Sequence, residues 1–122
     1  MNDLYVLDLK QLRWQKIDAN GVLPSERRRH SALVSENKMF VIGGRNGNAY
    51  LGDVWRLDLS TFTWCQISTN NIPKGRYLHT TEMYGNEIYL FGGGKDPFTI
   101  YADLWKFCLA TNQWTQLIQN QP

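Results

Sequence analysis

The sequence predicts an all-β fold assembled from a repeated four-stranded antiparallel unit, and three observations lead there. The first is recurrence: Lys38-Met39-Phe40-Val41-Ile42-Gly43-Gly44 returns 49 residues later as Glu87-Ile88-Tyr89-Leu90-Phe91-Gly92-Gly93. Asp53-Val54-Trp55 returns 50 residues later as Asp103-Leu104-Trp105, with Trp64 answered by Trp114. The recurrence also runs backwards, because Asp3-Leu4-Tyr5 and Trp14 stand 50 residues before Asp53-Val54-Trp55 and Trp64. The second observation is a succession of short runs rich in β-formers, separated by turn residues. The third is that no segment reads as a helix. Two complete units are expected at residues 27–67 and 76–117, preceded by the outer two strands of another at 3–17.

Taken in order, Leu4-Tyr5-Val6-Leu7 and Arg13 to Ile17 read as paired strands, with Asp8 to Gln11 turning the chain. Asp18 to Pro24 reads as a loop, since its Asn-Gly pair and its proline do not suit a strand interior. His30 to Ser35 forms a short first strand. Met39 to Ile42 forms a second, whose unbroken apolar character suits a strand covered on both faces. Arg45 to Gly52 is expected to be a loop, followed by strands at Val54 to Asp58 and Thr63 to Ile67. The second unit repeats this as Thr80 to Tyr84, Glu87 to Phe91, Leu104 to Leu109 and Gln113 to Leu117, with Gly94 to Ala102 as its middle loop. Asn120-Gln121-Pro122 matches the Asn70 to Pro73 segment that precedes a further unit.

Composition narrows the class. A chain of 122 residues suits one domain, and a formal charge of +2 is too small to suggest a nucleic-acid or membrane-surface partner. Arg27-Arg28-Arg29 is the sole basic run. No stretch approaches the roughly eighteen apolar residues of a membrane span, and Asp3, Asp8 and Lys10 interrupt any signal-peptide core. A cytoplasmic location is expected. Cys65 and Cys108 have no neighbouring ligands at zinc spacing and are expected to be free thiols.

A period near 50 with four short strands per unit marks a kelch propeller. The residues carry the same resemblance: Arg27-x-x-His30-Ser31 and Arg76-x-x-His79-Thr80, the double glycines Gly43-Gly44 and Gly92-Gly93, the pairs Asp53/Trp55 and Asp103/Trp105, and the closing Trp64 and Trp114. The chain therefore resembles the kelch repeat over essentially its whole length. The spacing Pro24-Ser25-x-Arg27-x-x-His30 is most similar to kelch proteins without a BTB domain, such as the host cell factor, leucine-zipper-like regulator and Rab-effector groups. The resemblance implies a kelch-type β-propeller segment: a half blade at 3–17 and full blades at 27–67 and 76–117. It implies that side chains at Gly43 or Gly92 would collide with the tryptophan rings of strands three and four, and that Arg27 and Arg76 pair within or between blades. Asp53 and Asp103, at the entry to strand three, are expected to tie down backbone N–H groups of the turn. The two arginines could instead grip a ligand carboxylate.

The expected function is a scaffold that binds a protein or peptide. Strand alternation sends the loops joining strands two and three, and those joining one unit to the next, to a single face. That face carries Arg28, Arg29 and Tyr77 from the junctions and Arg45, Asn46 and Tyr50 from the first middle loop. Lys95, Phe98 and Tyr101 come from the second. Rigidly held aromatic and arginine side chains make good anchors. Alternatively, Phe98, Ile100 and Tyr101 fold back over their own loop. The other class weighed is a propeller enzyme such as a copper oxidase or specifier protein. Its ligands are missing, since His30 and His79 are the only histidines and occupy the same motif position in different blades. No catalytic residue, cofactor or metal is expected. A closed propeller needs at least about four blades, so further blades from the parent protein or another chain are expected partners.

Overall fold

The structure is a computed structural model and describes residues 2–119; the expectation for Asn120-Gln121-Pro122 lies outside them. Strands β1 (Leu4–Asp8) and β2 (Arg13–Ile17) form an antiparallel hairpin. Next come the two-residue β3 (Asn20–Gly21), then β4 (Ser31–Ser35), β5 (Lys38–Asn46), β6 (Ala49–Asp58) and β7 (Thr63–Ile67). These make a five-stranded sheet in the order β3-β7-β6-β5-β4. The second blade contains β8 (Thr80–Tyr84), β9 (Glu87–Phe91), a small hairpin of β10 (Gly94–Asp96) and β11 (Thr99–Ile100), then β12 (Leu104–Cys108) and β13 (Gln113–Ile118). Its sheet order is β13-β12-β9-β8. The architecture is all-β, as the repeat predicts. Among the described residues no helix is long and apolar enough to cross a membrane.

The turns repeat as faithfully as the strands. Asp8 accepts from the amides of Lys10 and Gln11, and Asp58 accepts from those of Ser60 and Thr61. These turns reach left-handed residues at equivalent positions, Leu12 (φ 52°) and Phe62 (φ 51°), and the turn after Cys108 does so at Asn112 (φ 55°). A short side-chain acceptor holds the backbone through such a turn and offsets part of its strain.

Three loop expectations need correction. Asn20-Gly21 is a short strand parallel to β7: the Asn20 amide donates to the Phe62 carbonyl at 2.8 Å and its side chain donates to the Thr61 carbonyl at 3.1 Å. The open edge of β7 offers backbone partners to a crossing segment, and apolar patterning carries no sign of that. The segment from Arg45 to Gly52 is the tip of a β-hairpin in which Arg45 pairs with Tyr50 and Asn46 with Ala49, around Gly47 at φ 55°. Gly94 to Ala102 likewise holds a hairpin; Asp96 accepts from the amides of Phe98 at 2.8 Å and Thr99 at 2.7 Å. Ladder bonds are made by the backbone, so polar strands can extend past the apolar run.

Packing lies between the blades. Phe40, Ile42, Val54 and Ile67 of the first blade form one core with Ile88, Leu90, Trp105, Phe107 and Trp114 of the second. Trp114 meets Trp105 edge-on at 6.4 Å between ring centres and Phe107 at 5.1 Å. On the opposite face of the first blade, Val41, Trp55, Leu57 and Trp64 pack with Leu4 and Ala19 of the preceding segment. The first blade is therefore covered on both faces, as its apolar run predicts, and the aromatic rings join blades rather than merely filling one.

The glycine expectation is corrected by the same packing. A Cβ on Gly43 would lie 2.9 Å from Cε1 of His79 and 3.1 Å from the carbonyl oxygens of Arg76 and Leu51; no tryptophan ring is among its nearest neighbours. Gly43 is where the next blade's entry segment presses on this one. Gly92, its counterpart, would meet only the Tyr101 carbonyl oxygen at 3.6 Å, so its requirement is the backbone angle of 72°.

Candidate functional site

Each full blade is fastened by the same clamp. Arg27, on the segment entering β4, donates from its two terminal nitrogens to Asp53 at 2.7 and 3.0 Å and also to the Gly43 carbonyl at 3.1 Å. The indole N–H of Trp55 donates to the same carboxylate at 2.7 Å. In the second blade Arg76 grips Asp103 at 2.5 and 2.7 Å, donates to the Gly92 carbonyl at 2.9 Å, and Trp105 closes the group at 2.7 Å. Burial pushes both carboxyls up, but the bonds from arginine and tryptophan outweigh it and hold them below the ordinary carboxylate range.

These contacts assign the motif residues. Arg27 and Arg76 pair within their own blades, as the resemblance implies. Their two-pronged face is occupied by Asp53 and Asp103, so neither is open to a ligand carboxylate. The expectation for the two aspartates is corrected in part: their main partners are a guanidinium and an indole, and the backbone N–H that each carboxylate holds is its own residue's. A bidentate arginine–carboxylate pair fixes direction as well as distance, which suits a joint between the entry segment and strand three.

The histidines occupy equivalent positions in sequence and different surroundings in space. His79 is buried at the junction of the blades, with Nε2 2.9 Å from the Ser31 hydroxyl oxygen of the first blade. Burial and the neighbouring Arg76 charge push its pKa down to about 4. His30 is exposed. Among the described residues no group of three or more His, Cys, Asp or Glu side chains is placed to hold a metal ion.

The loop face is built by backbone pairing between the blade-entry segments and the middle hairpins. Arg28 exchanges backbone bonds with Arg45 at 2.9 and 3.0 Å, and Tyr77 does so with Gly94 at 3.0 and 3.1 Å. The second entry segment is also tied to the first blade, because Gly44 donates to Arg76 at 2.9 Å and Arg76 donates to Leu51 at 3.0 Å. Two blades thus share one platform. On it the Tyr50 and Tyr77 rings lie 5.6 Å apart, with the Arg45 guanidinium 5.3 Å from the first and 5.9 Å from the second. Arg29 lies 5.6 Å from the Tyr77 ring. Attraction between a guanidinium and an aromatic face holds such a cluster in place without a carboxylate.

Of the residues expected on this face, the structure gathers Arg29, Arg45, Tyr50 and Tyr77, with Arg28 and Asn46 lining the adjoining cleft beside Glu26 and Gly47. Lys95 and Phe98 stand apart on the second hairpin, where Phe98 is 95% exposed. Tyr101 is a correction. It is buried, with its ring 4.3 Å from the Arg76 guanidinium, and serves the clamp instead of the surface. The folding-back alternative therefore holds for Tyr101, while Phe98 and Ile100 point outward. Leu78 and Pro97 are additions: with Tyr77, Ile100, Gly93, Gly94 and Asp96 they line a shallow cavity of about 380 Å³. Leu78 matches Arg29 in the repeat, which shows its place, but only the folded hairpin shows that it borders a cavity.

With this geometry in view, comparison with known proteins gives a consistent answer. The family profile described as the KLHDC2/KLHL20/DRC7 Kelch-repeats domain matches residues 1–122. Acyl-CoA-binding domain-containing protein 4 of Arabidopsis thaliana is 43% identical over 49 residues, which are 40% of this chain and 7% of that protein. Host cell factor 1 of Homo sapiens is 46% identical over 44 residues, covering 36% of this chain and 2% of that protein. Tip elongation aberrant protein 3 of Schizosaccharomyces pombe is 34% identical over 53 residues, covering 43% and 5%. The chain thus spans less than a tenth of the length of these relatives.

Proposed function

Since the chain belongs to the kelch-repeat family, whose domains generally mediate contacts between proteins and are typically not enzymes, we propose that it is an interaction scaffold binding a protein or peptide through its loop face. The observation that carries this reading is the shared platform: arginine and tyrosine side chains from two blades are held together by backbone bonds and ring contacts. Rigidly presented arginine and aromatic side chains are the usual centres of interface energy. The free thiols of Cys65 and Cys108 agree with a cytoplasmic setting.

The outer faces support a second kind of contact. Trp14 is 69% exposed where Trp64 is 8%, and Phe91 is 51% exposed where Ile42 is 2%. Faces of this composition suit further blades, from the same polypeptide or another, stacked as the two full blades stack here.

The test is a paired Arg45→Ala and Phe98→Ala variant, compared with the parent in quantitative capture from cell extract. A control variant, Glu36→Ala with Thr111→Ala, alters the opposite turns. Proteins retained by the parent and the control but lost by the loop-face pair are expected, with melting temperatures within about 2 °C of one another. Equal capture by the parent and the loop-face pair would reject this face.

A further inference from the structure

The arginine cluster and the shallow cavity are two parts of one surface, and Tyr77 belongs to both. The guanidinium carbons of Arg29 and Arg45 lie 5.6 and 5.9 Å from its ring centre. Tyr77 also lines the cavity with Leu78, Pro97 and Ile100. Leu78 is 60% exposed and Ile100 is 77% exposed, so the apolar rim faces solvent next to the cationic side. The acid that lines the cavity is engaged elsewhere. Asp96 turns its carboxylate into its own hairpin, accepting from Phe98 at 2.8 Å and from the amide and hydroxyl of Thr99 at 2.7 and 3.2 Å.

A surface on which cationic groups and an apolar rim adjoin the same aromatic residue selects a ligand that carries an acidic and an apolar group close together. An extended peptide directs side chains i and i+2 to the same side, about 7 Å apart, with the residue between them turned away. Resting on the loop-face reading above, we propose that this surface takes an extended peptide of the pattern acidic–x–bulky apolar, in either chain direction. The carboxylate lies between Arg29 and Arg45, and the apolar side chain enters the cavity beside Leu78 and Ile100. Arginine gives the carboxylate a directed, charge-assisted contact, and the cavity removes the apolar group from water. The intervening residue faces solvent and is unrestricted.

The probes are fluorescent dodecapeptides, acetylated and amidated so that neither terminus supplies a charge. One carries Glu-x-Leu, a second Gln-x-Leu and a third Glu-x-Ser; a fourth is the second with a free C-terminal carboxylate. The first is expected to bind about tenfold more tightly than the second or third, and to weaken as salt is raised. Arg29→Asn with Arg45→Gln should erase the preference for Glu over Gln and leave the preference for Leu over Ser. Ile100→Thr should do the reverse. Equal binding of Glu and Gln peptides, a preference that survives in the arginine variant, or binding only by the free carboxylate would overturn the proposal. If no capped peptide binds while capture from extract still depends on Arg45 and Phe98, this inference fails and the scaffold reading stands. Loss of that dependence as well would remove both.

Discussion

The two full blades carry the same pattern and have different environments. Ile42 and Phe91 are equivalent, yet one is 2% exposed and the other 51%; Ile67 and Leu117 are equivalent at 7% and 44%. The clamps differ in the opposite sense. The Arg76–Asp103 side chains are 2% and 5% exposed, against 4% and 24% for Arg27–Asp53, because Tyr101 roofs the second clamp. A repeat position therefore fixes which way a side chain points. How deeply it is buried depends on whether a neighbour lies on that side.

Substitutions at matched positions break this comparison open. Gly43→Val should cost about 4 to 6 kcal/mol, because it combines left-handed backbone strain with contact against His79 and two carbonyls. Gly92→Val should cost only about 1 to 2 kcal/mol, from strain alone. Urea midpoints of the two variants read the difference directly, and equal shifts would mean that the blade junction does not decide the glycine. The tryptophans come next. Trp64→Ala should lose about 3 to 5 kcal/mol, whereas Trp14→Ala, on an uncovered face, should stay within about 0.5 kcal/mol in the same measurement.

Removing a clamp arginine sharpens the contrast. Arg76→Met leaves the buried Asp103 without its main partner and should cost about 3 kcal/mol, while Arg27→Met should cost less because water reaches Asp53. Thermal melts of both proteins at neutral pH test the order.

The effect of His79 appears only on acidification. Its folded pKa of about 4 lies below the ordinary 6.5, so the unfolded chain binds the proton more readily between these values. Stability from this residue is present above pH 6.5 and is lost as pH falls towards 4, by about 2 to 3 kcal/mol. His79→Gln should flatten that part of the stability profile measured by urea titration. An unchanged slope would place the loss elsewhere.

Much of the fold was legible because the repeat is written twice at nearly constant spacing. Strand limits such as Thr63–Ile67, Thr80–Tyr84 and Glu87–Phe91 follow from β-formers between turn residues. The hairpin tips at Arg45–Tyr50 and Gly94–Ile100 were less legible, since a polar ladder has no apolar signature. The site was legible in part. Arg28, Arg29, Arg45, Tyr50 and Tyr77 stand out by residue type on one loop face, but their grouping needs contacts between residues far apart in the chain.

Tyr101 shows where sequence reasoning stops. An aromatic residue at a loop end is compatible with either surface or interior, and its placement over Arg76 comes from the way β11 returns to the blade. The sequence by itself determined the period, the all-β class and the direction of each repeated side chain, because these depend on local backbone preference and near-constant spacing. Tertiary structure alone decided the occupancy of the arginine forks, the two fates of His30 and His79, and the junction of cation and cavity at Tyr77. Each of these depends on which backbone and side chains of a neighbouring element fill the adjoining space, and no local pattern encodes that.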